Sequence, residues 1–504
     1  MTSKISAFGS AALLAALAAV PGAAQPWEPE VPRTWDARAI ADFELPLATP
    51  EMSPVHVPED WYYALPVRPI YRAYPIYHPD HEPPGYLESL REKEPEVIFD
   101  AKRLETEADW ITAGRAVFEA PVGLGGVVFN VERLHDPGWW RTVDPPLTRA
   151  GTLAGLVYVV RERGEVEVGS FACATCHSRV LEDGAVVPGA QGNFPLERAI
   201  AVAGHDLPEQ QVRRFATILY SAPWLSERES ALRALSKEEL IRLRERIPDG
   251  VIGRQGTDIR FPSRIPDLIG IEDRRYLDAT GFVRHRGPGD VMRYAATNQG
   301  MDVLARHGDF IPGVPGHREL PPPGSPLPFP GSSARYSDEQ LYALALYLYS
   351  LEPPPNPNPR DVLAARGEAV FREQRCGRCH TPPLYTNNEL VPAPGFEPPP
   401  EHFELYDVSE ERVDTDPTLA MTTRRGTGYY KVPSLLGLWY RGPLEHNGSV
   451  ATLEDWFDPA RFEPGYRPTG WGPNAEPRAV EGHPFGVGLP EEDRRALIAF
   501  LMTL

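Results

Sequence analysis

Cys173-Ala174-Thr175-Cys176-His177 is a C-x-x-C-H run, and Cys376-Gly377-Arg378-Cys379-His380 repeats it about 200 residues later. Together the two runs use all four cysteines of the chain. This is the spacing at which a c-type haem is attached. Two thiols add across the vinyl groups, and two intervening residues let one turn of chain reach both. The histidine that follows falls under the iron as an axial ligand. Other readings leave residues unexplained. Paired C-x-x-C units of a zinc site lie roughly 12–20 residues apart. A thioredoxin-like pair accounts for the cysteines but not for a histidine after each pair. A structural disulfide leaves His177 and His380 as coincidences. We therefore read Cys173, Cys176, Cys376 and Cys379 as anchors of two covalent haem c groups, with His177 and His380 as proximal ligands.

The 504 residues suffice for two or three domains with substantial cores. A formal net charge of −19 argues against nucleic acid or an anionic membrane surface as the main partner. Proline makes up 57 of 504 residues, about twice average usage. In a chain with 42% hydrophobic residues these prolines mark long, ordered, irregular connections. Residues 1–24 read as a signal peptide: Lys4, an apolar run from Ala7 to Val20, then Gly22-Ala23-Ala24 as a small-residue cleavage site. The run is too short for a bilayer span, which needs about 20 apolar residues. No other stretch is long enough. Export to the bacterial periplasm or beyond agrees with c-type attachment, which takes place outside the cytoplasm.

Four further features divide the chain. Residues 25–105 form a proline- and aromatic-rich extension with few helical signals, read as a surface arm without chemistry, with an arm packed against the haem domains or covering a haem edge as the alternative; His78 and His81 read as solvated loop residues rather than metal ligands. From 106 the pattern turns helical, with Trp110, Ile111, Ala113, Val117 and Phe118 at helical spacing. Gly114-Arg115-Ala116-Val117-Phe118 returns as Gly367-Glu368-Ala369-Val370-Phe371 just before Cys376. Each half closes with a second helix, one opened by Ser337-Asp338-Glu339 and one by Pro490-Glu491-Glu492-Asp493. The first half carries an insertion before Cys173, in which Gly123–Phe129 and Leu156–Val160 read as short strands or a hairpin. The expected fold is mainly α: two tandem cytochrome c-type haem domains, 106–352 and 361–504, with long proline-rich loops and a short β insertion in the first. The proline-rich stretch 353–360 is the linker.

Two such units in one exported chain resemble the bacterial di-haem cytochrome c peroxidase superfamily. Val432-Pro433-Ser434-Leu435 and Gly442-Pro443-Leu444-Glu445-His446-Asn447-Gly448-Ser449 look like its C-terminal haem segment. The peroxidases would carry a methionine ligand about fourteen residues after that histidine, where Ala460 stands. The tail Gly482-His483-Pro484-Phe485-Gly486-Val487-Gly488-Leu489 is more similar to the rubber-oxygenase-like branch, in which a histidine before the last helix completes a bis-histidine haem. The resemblance implies His483 as a metal ligand, with His446 and Met421 as alternatives. It also implies a calcium ion between the haems. For the first haem the sixth position is either open or filled by Met301, His307, His285 or Met292; His205 and His317 lie in the same segment. Trp139, Trp140, Trp224 and Trp439 are candidates for an aromatic between the haems.

Two functions follow. One is a haem-dependent oxidoreductase, with peroxide or dioxygen chemistry at the N-terminal haem and electron relay through the C-terminal one. The other is a non-catalytic electron carrier with both irons closed. A redox partner protein or a small-molecule substrate is expected in either case. Catalytic side chains, substrate and oligomeric state are not written in the sequence.

Overall fold

The computed structural model describes residues 27–504 apart from Pro315, His317, Arg318, Pro328, Pro330, Pro473 and Asn474. The expected signal segment and His317 lie outside the described residues. The chain is mainly helical with little strand. Four helices organise it: α1 Glu107–Glu119, α2 Asp338–Tyr349, α3 Val362–Glu373 and α4 Glu491–Met502. Three of them begin at a side-chain cap. Thr106 with Asp109 and Ser337 with Gln340 form capping boxes, and the Asp361 side chain caps α3. Three carboxylates occupy the first turn of α4, where the helix dipole favours them.

α1 packs on α2, and α3 packs on α4. The repeated glycines mark the two crossings. A Cβ added at Gly114 would lie 1.9 Å from the Ala343 carbonyl oxygen, and one at Gly367 would lie 1.9 Å from that of Ala496. The repeat is thus a close helix contact used twice. Val117 and Phe118 enter one apolar core beside Leu341 and Leu344, and Val370 and Phe371 enter another beside Leu497 and Phe500.

Two expectations need correction. The arm at 25–105 is not a surface extension. Trp35, Phe43 and Tyr62 are fully buried in the N-terminal core. Trp35 stacks on Tyr62 with centroids 4.6 Å apart and donates its indole N–H to Val57 O at 2.8 Å. The Thr34 amide reaches Asp338 Oδ1, 3.1 Å away at the start of α2. Prolines erase helical periodicity here while the aromatics still supply apolar area to bury. His78 is likewise not a free loop residue; it packs edge-on against Trp140 at 4.7 Å.

The insertion is more than a hairpin. β1 Ala73–Tyr77, β2 Gly123–Leu124, β3 Thr152–Val159 and β4 Glu167–Ser170 form an antiparallel sheet in the order β1-β3-β4-β2. Its edge strand β1 comes from the arm. Only two residues of the Gly123–Phe129 run are strand; the Phe129 side chain is buried with Trp139, Trp140 and Leu156.

The two halves meet through buried arginines. Arg424 donates to Ser221 O and Ile218 O at 2.7 and 2.8 Å. Arg425 bridges Asp278 and Asp302 at 2.8 and 2.9 Å.

Candidate functional site

Both C-x-x-C-H runs close the same local turn. The His177 amide donates to Cys173 O and the His380 amide to Cys376 O, each at 2.9 Å. In each turn the imidazole donates Nδ1–H to a backbone carbonyl: His177 to Pro266 O at 3.0 Å, His380 to Tyr385 O at 3.1 Å. That hydrogen bond fixes the tautomer and leaves Nε2 as a lone pair for a metal. Burial pushes both imidazoles toward the neutral form, His177 down to about 4.

The C-terminal turn opens on a cavity of about 340 Å³. Cys376, Cys379, His380 and His483 all line it, with Phe371, Leu444, Phe457, Leu497 and Leu501 as apolar walls. The volume lies in the range of cofactor sites, roughly 300–1,000 Å³. The His380 and His483 ring centroids are 6.3 Å apart. Two metal–nitrogen bonds of about 2 Å each, plus the two ring radii, give a separation of that size. Among the described residues no imidazole stands opposite His177 in this way. His483 is neutral, held down to about 3 by burial and by His380, and its Nδ1 is buried without a partner. Two thiols, two neutral imidazoles and an apolar slot fit a covalently held haem.

Sequence reading gave no hint of the clamp behind His483. Arg461, 1% exposed, donates to Trp456 O (2.8 Å), Val480 O (2.6 Å), Gly482 O (2.8 Å) and His483 O (2.9 Å). His483 itself sits in the left-handed region at φ 49°, a strained conformation that persists only where its surroundings fix it. Arg461→Met keeps the stem and strips four donors, leaving buried carbonyls unpaired at about 1–3 kcal/mol each before relaxation. The expected result is loss of His483 placement together with lowered stability, read from the visible spectrum and denaturant unfolding. Arg461→Lys should recover part of both.

The remaining candidates for this site fall elsewhere. His446 lines the cavity but stacks face to face on Tyr430 at 3.7 Å, and its carbonyl accepts from the Arg264 amide at 2.8 Å, so it joins the halves. Met421 packs with Phe261 and Tyr430, off the cavity wall.

At the N-terminal turn Cys173, Cys176 and His177 keep some accessible surface, yet burial pushes the thiols up to about 11 and about 12. Gln299 Nε2 donates to Cys173 Sγ at 3.4 Å, and the Arg254 charge acts on both Cys176 and His177. Arg254 is held by Asp278 at 3.2 Å and Asn298 at 2.6 Å. Of the sixth-ligand candidates, His285 uses both nitrogens, on Arg274 O and the Tyr349 hydroxyl. His307 bonds Met52 O at 2.8 Å and stacks on Trp224. His205 pairs with Glu245 at the surface. Met292 and Met301 are buried in the N-terminal core, against which Cys173 also packs.

None of the four tryptophans lines the cavity walls. Trp139 and Trp140 belong to the core beneath the sheet, Trp224 to His307, and Trp439 to Tyr440. For calcium, no group of three or more His, Cys, Asp or Glu side chains able to hold a metal occurs among the described residues. Asp278 and Asp302, between the halves, face arginines instead. No helix among the described residues is long and apolar enough to cross a membrane.

No family profile matches the chain, and no curated protein matches it. Among solved structures, a hydrazine synthase of Kuenenia stuttgartiensis is similar at 18% identity and a TM-score of 0.22, over 35% of this chain and 58% of that one. The chain thus spans little more than half of that protein's length. A MauG-like protein associated with microbial copper homeostasis is similar at 16% identity and a TM-score of 0.30, over 59% of this chain and 89% of that one. Both likenesses are too distant to define a shared fold.

Proposed function

We propose that the chain is an exported di-haem c-type cytochrome acting as a haem-dependent oxidoreductase. Residues 106–352 and 361–504 would be its two haem domains, joined at 353–360. The observation that carries this reading is the contrast between the turns. His380 faces His483 across a cavity that also holds Cys376 and Cys379, whereas His177 has no facing imidazole among the described residues. The C-terminal site is built to close on both sides, which suits electron relay. The N-terminal site keeps a side for peroxide or dioxygen. The place of His483 before α4 agrees with the rubber-oxygenase-like branch.

Haem supplies one-electron chemistry whose potential follows axial ligation and burial. The protein's own residues supply the rest. His177 and His380 are held in one tautomer by backbone carbonyls. Arg254 places a buried positive charge beside the N-terminal turn, where it favours developing negative charge. Asp302, pushed up by burial, keeps Oδ1 unpaired while Arg425 holds its Oδ2 at 2.9 Å. Arg254 acts on Asp302 as well as on the turn. A redox protein partner or a small substrate would complete the reaction.

The packing of Met301 and Cys173 into one core favours a second reading, an electron carrier with Met301 closing the first haem. EPR of the oxidised protein, with cyanide and carbon monoxide titrations, separates the two. One high-spin haem that binds ligand beside one low-spin haem is expected. Two low-spin haems that refuse both ligands would overturn the enzyme reading.

A further inference from the structure

A second cavity, about 40 Å³, touches both histidine turns through their backbone supports. Pro266, whose carbonyl accepts from His177, lines it. So does Pro433, whose carbonyl lies within hydrogen-bond reach of His380. Its walls carry Arg264, Arg274, Lys431 and Arg441 against one carboxylate, Asp267. Asp267 is already engaged by the Tyr440 hydroxyl at 2.9 Å and lies 3.8 Å from Arg441 Nε.

Four cations line this space against a single lining carboxylate, with Glu445 acting on Arg264 and Asp278 on Lys431 from beyond it, so the walls carry an excess of positive charge. Isolated buried charges are costly, so such a cluster needs anionic oxygen. Arg274 is occupied, donating to Asp267 O and Ile269 O. The other three are less so. Only burial and charge–charge effects act on the Arg264 guanidinium, and the Arg441 side chain, 6% exposed, donates from Nη2 to Ser434 O at 2.9 Å but leaves Nε without a partner. Lys431 Nζ reaches only Tyr276 O, at 3.3 Å. Burial and mutual repulsion push Lys431 down to about 7 and Arg264 to about 10, as expected of cations awaiting an anion. The space takes a carboxylate group but no substrate-sized molecule. Arg264, Lys431 and Arg441 also line the larger cavity that holds His380 and His483.

We propose that Arg264, Lys431 and Arg441 form a carboxylate-binding site that receives a propionate of the C-terminal haem and holds it against the backbone supporting both proximal histidines. This rests on the di-haem reading above. Arginine forks suit a carboxylate, and the lysine adds a compact charge. The same chemistry would accept a free oxyanion such as phosphate, and the test separates the sources.

The experiment uses purified holoprotein, wild type and the variants Arg264→Gln, Arg441→Gln and Arg264→Lys. A pyridine haemochrome count comes first. Fewer than two haems per wild-type chain would sink the di-haem reading itself. With two haems present, redox titration and resonance Raman of the propionate bending band are read together. Each Gln variant is expected to lower the midpoint potential of the C-terminal haem, because a cation that opposed the ferric charge is gone, and to shift the propionate band. Arg264→Lys should retain most of the wild-type values. Wild-type potentials and bands in both Gln variants would overturn the proposal. A saturable potential shift on adding inorganic phosphate to the wild type, with the band unmoved, would assign the cluster to a free oxyanion and overturn it equally.

Discussion

On the di-haem proposal, His483→Ala is expected to convert the C-terminal haem from low spin to high spin and to open it to cyanide and carbon monoxide. In the wild type the imidazole faces His380 with centroids 6.3 Å apart. Its removal takes away the second axial nitrogen and leaves a space of imidazole size walled by Trp456 and Phe485, which both pack edge-on against His483. The potential should rise, because a strong donor to the ferric iron is lost; axial identity moves haem potentials over ~0.8 V. Added imidazole should restore the low-spin spectrum, which a merely unfolded site would not allow. An unchanged spectrum would place the ligand elsewhere, His446 being the next imidazole on the same wall.

Gly367→Ala and Gly114→Ala should each cost about 3 kcal/mol, the upper end of the range for overpacked cores. In each case the new methyl would stand 1.9 Å from a carbonyl oxygen, while ordinary contact begins near 3.4 Å. A rigid helix backbone has to move by the difference. The higher helix propensity of alanine returns only about 1 kcal/mol. The two losses should be local. Gly367→Ala would weaken the α3–α4 pair and haem retention at Cys376 and Cys379, and Gly114→Ala would weaken the N-terminal pair. Thermal melts followed at each haem band separate them. Gly465→Ala, with nothing within 4 Å of the new methyl, serves as control and should leave both unchanged.

What could be read from the sequence was what local chemistry encodes. C-x-x-C-H is a spacing rule, so both turns were visible, and capping residues placed α2 and α4 almost to the residue. The glycine repeat was visible as a repeat, but its cause, a carbonyl on another helix, was not. The arm misled because burial of Trp35 and Tyr62 depends on partners some 300 residues away, and prolines hide such partners from any periodicity. His483 stood out only through its place before the last helix. Arg461, Arg264, Lys431 and Arg441 had no signal at all. An arginine that holds backbone carbonyls, or waits for a carboxylate, has the same letter as one in water.

The amide of Thr34 and the carboxylate of Asp338 are 304 positions apart in the chain. A chain emerging from its N-terminus cannot seat the arm until the start of α2 has followed. That delay has chemical value. A thiol reacts as thiolate, and the finished fold pushes Cys173 and Cys176 to about 11 and about 12. On the di-haem proposal, attachment at Cys173 and Cys176 would therefore be easiest before the N-terminal half has finished folding.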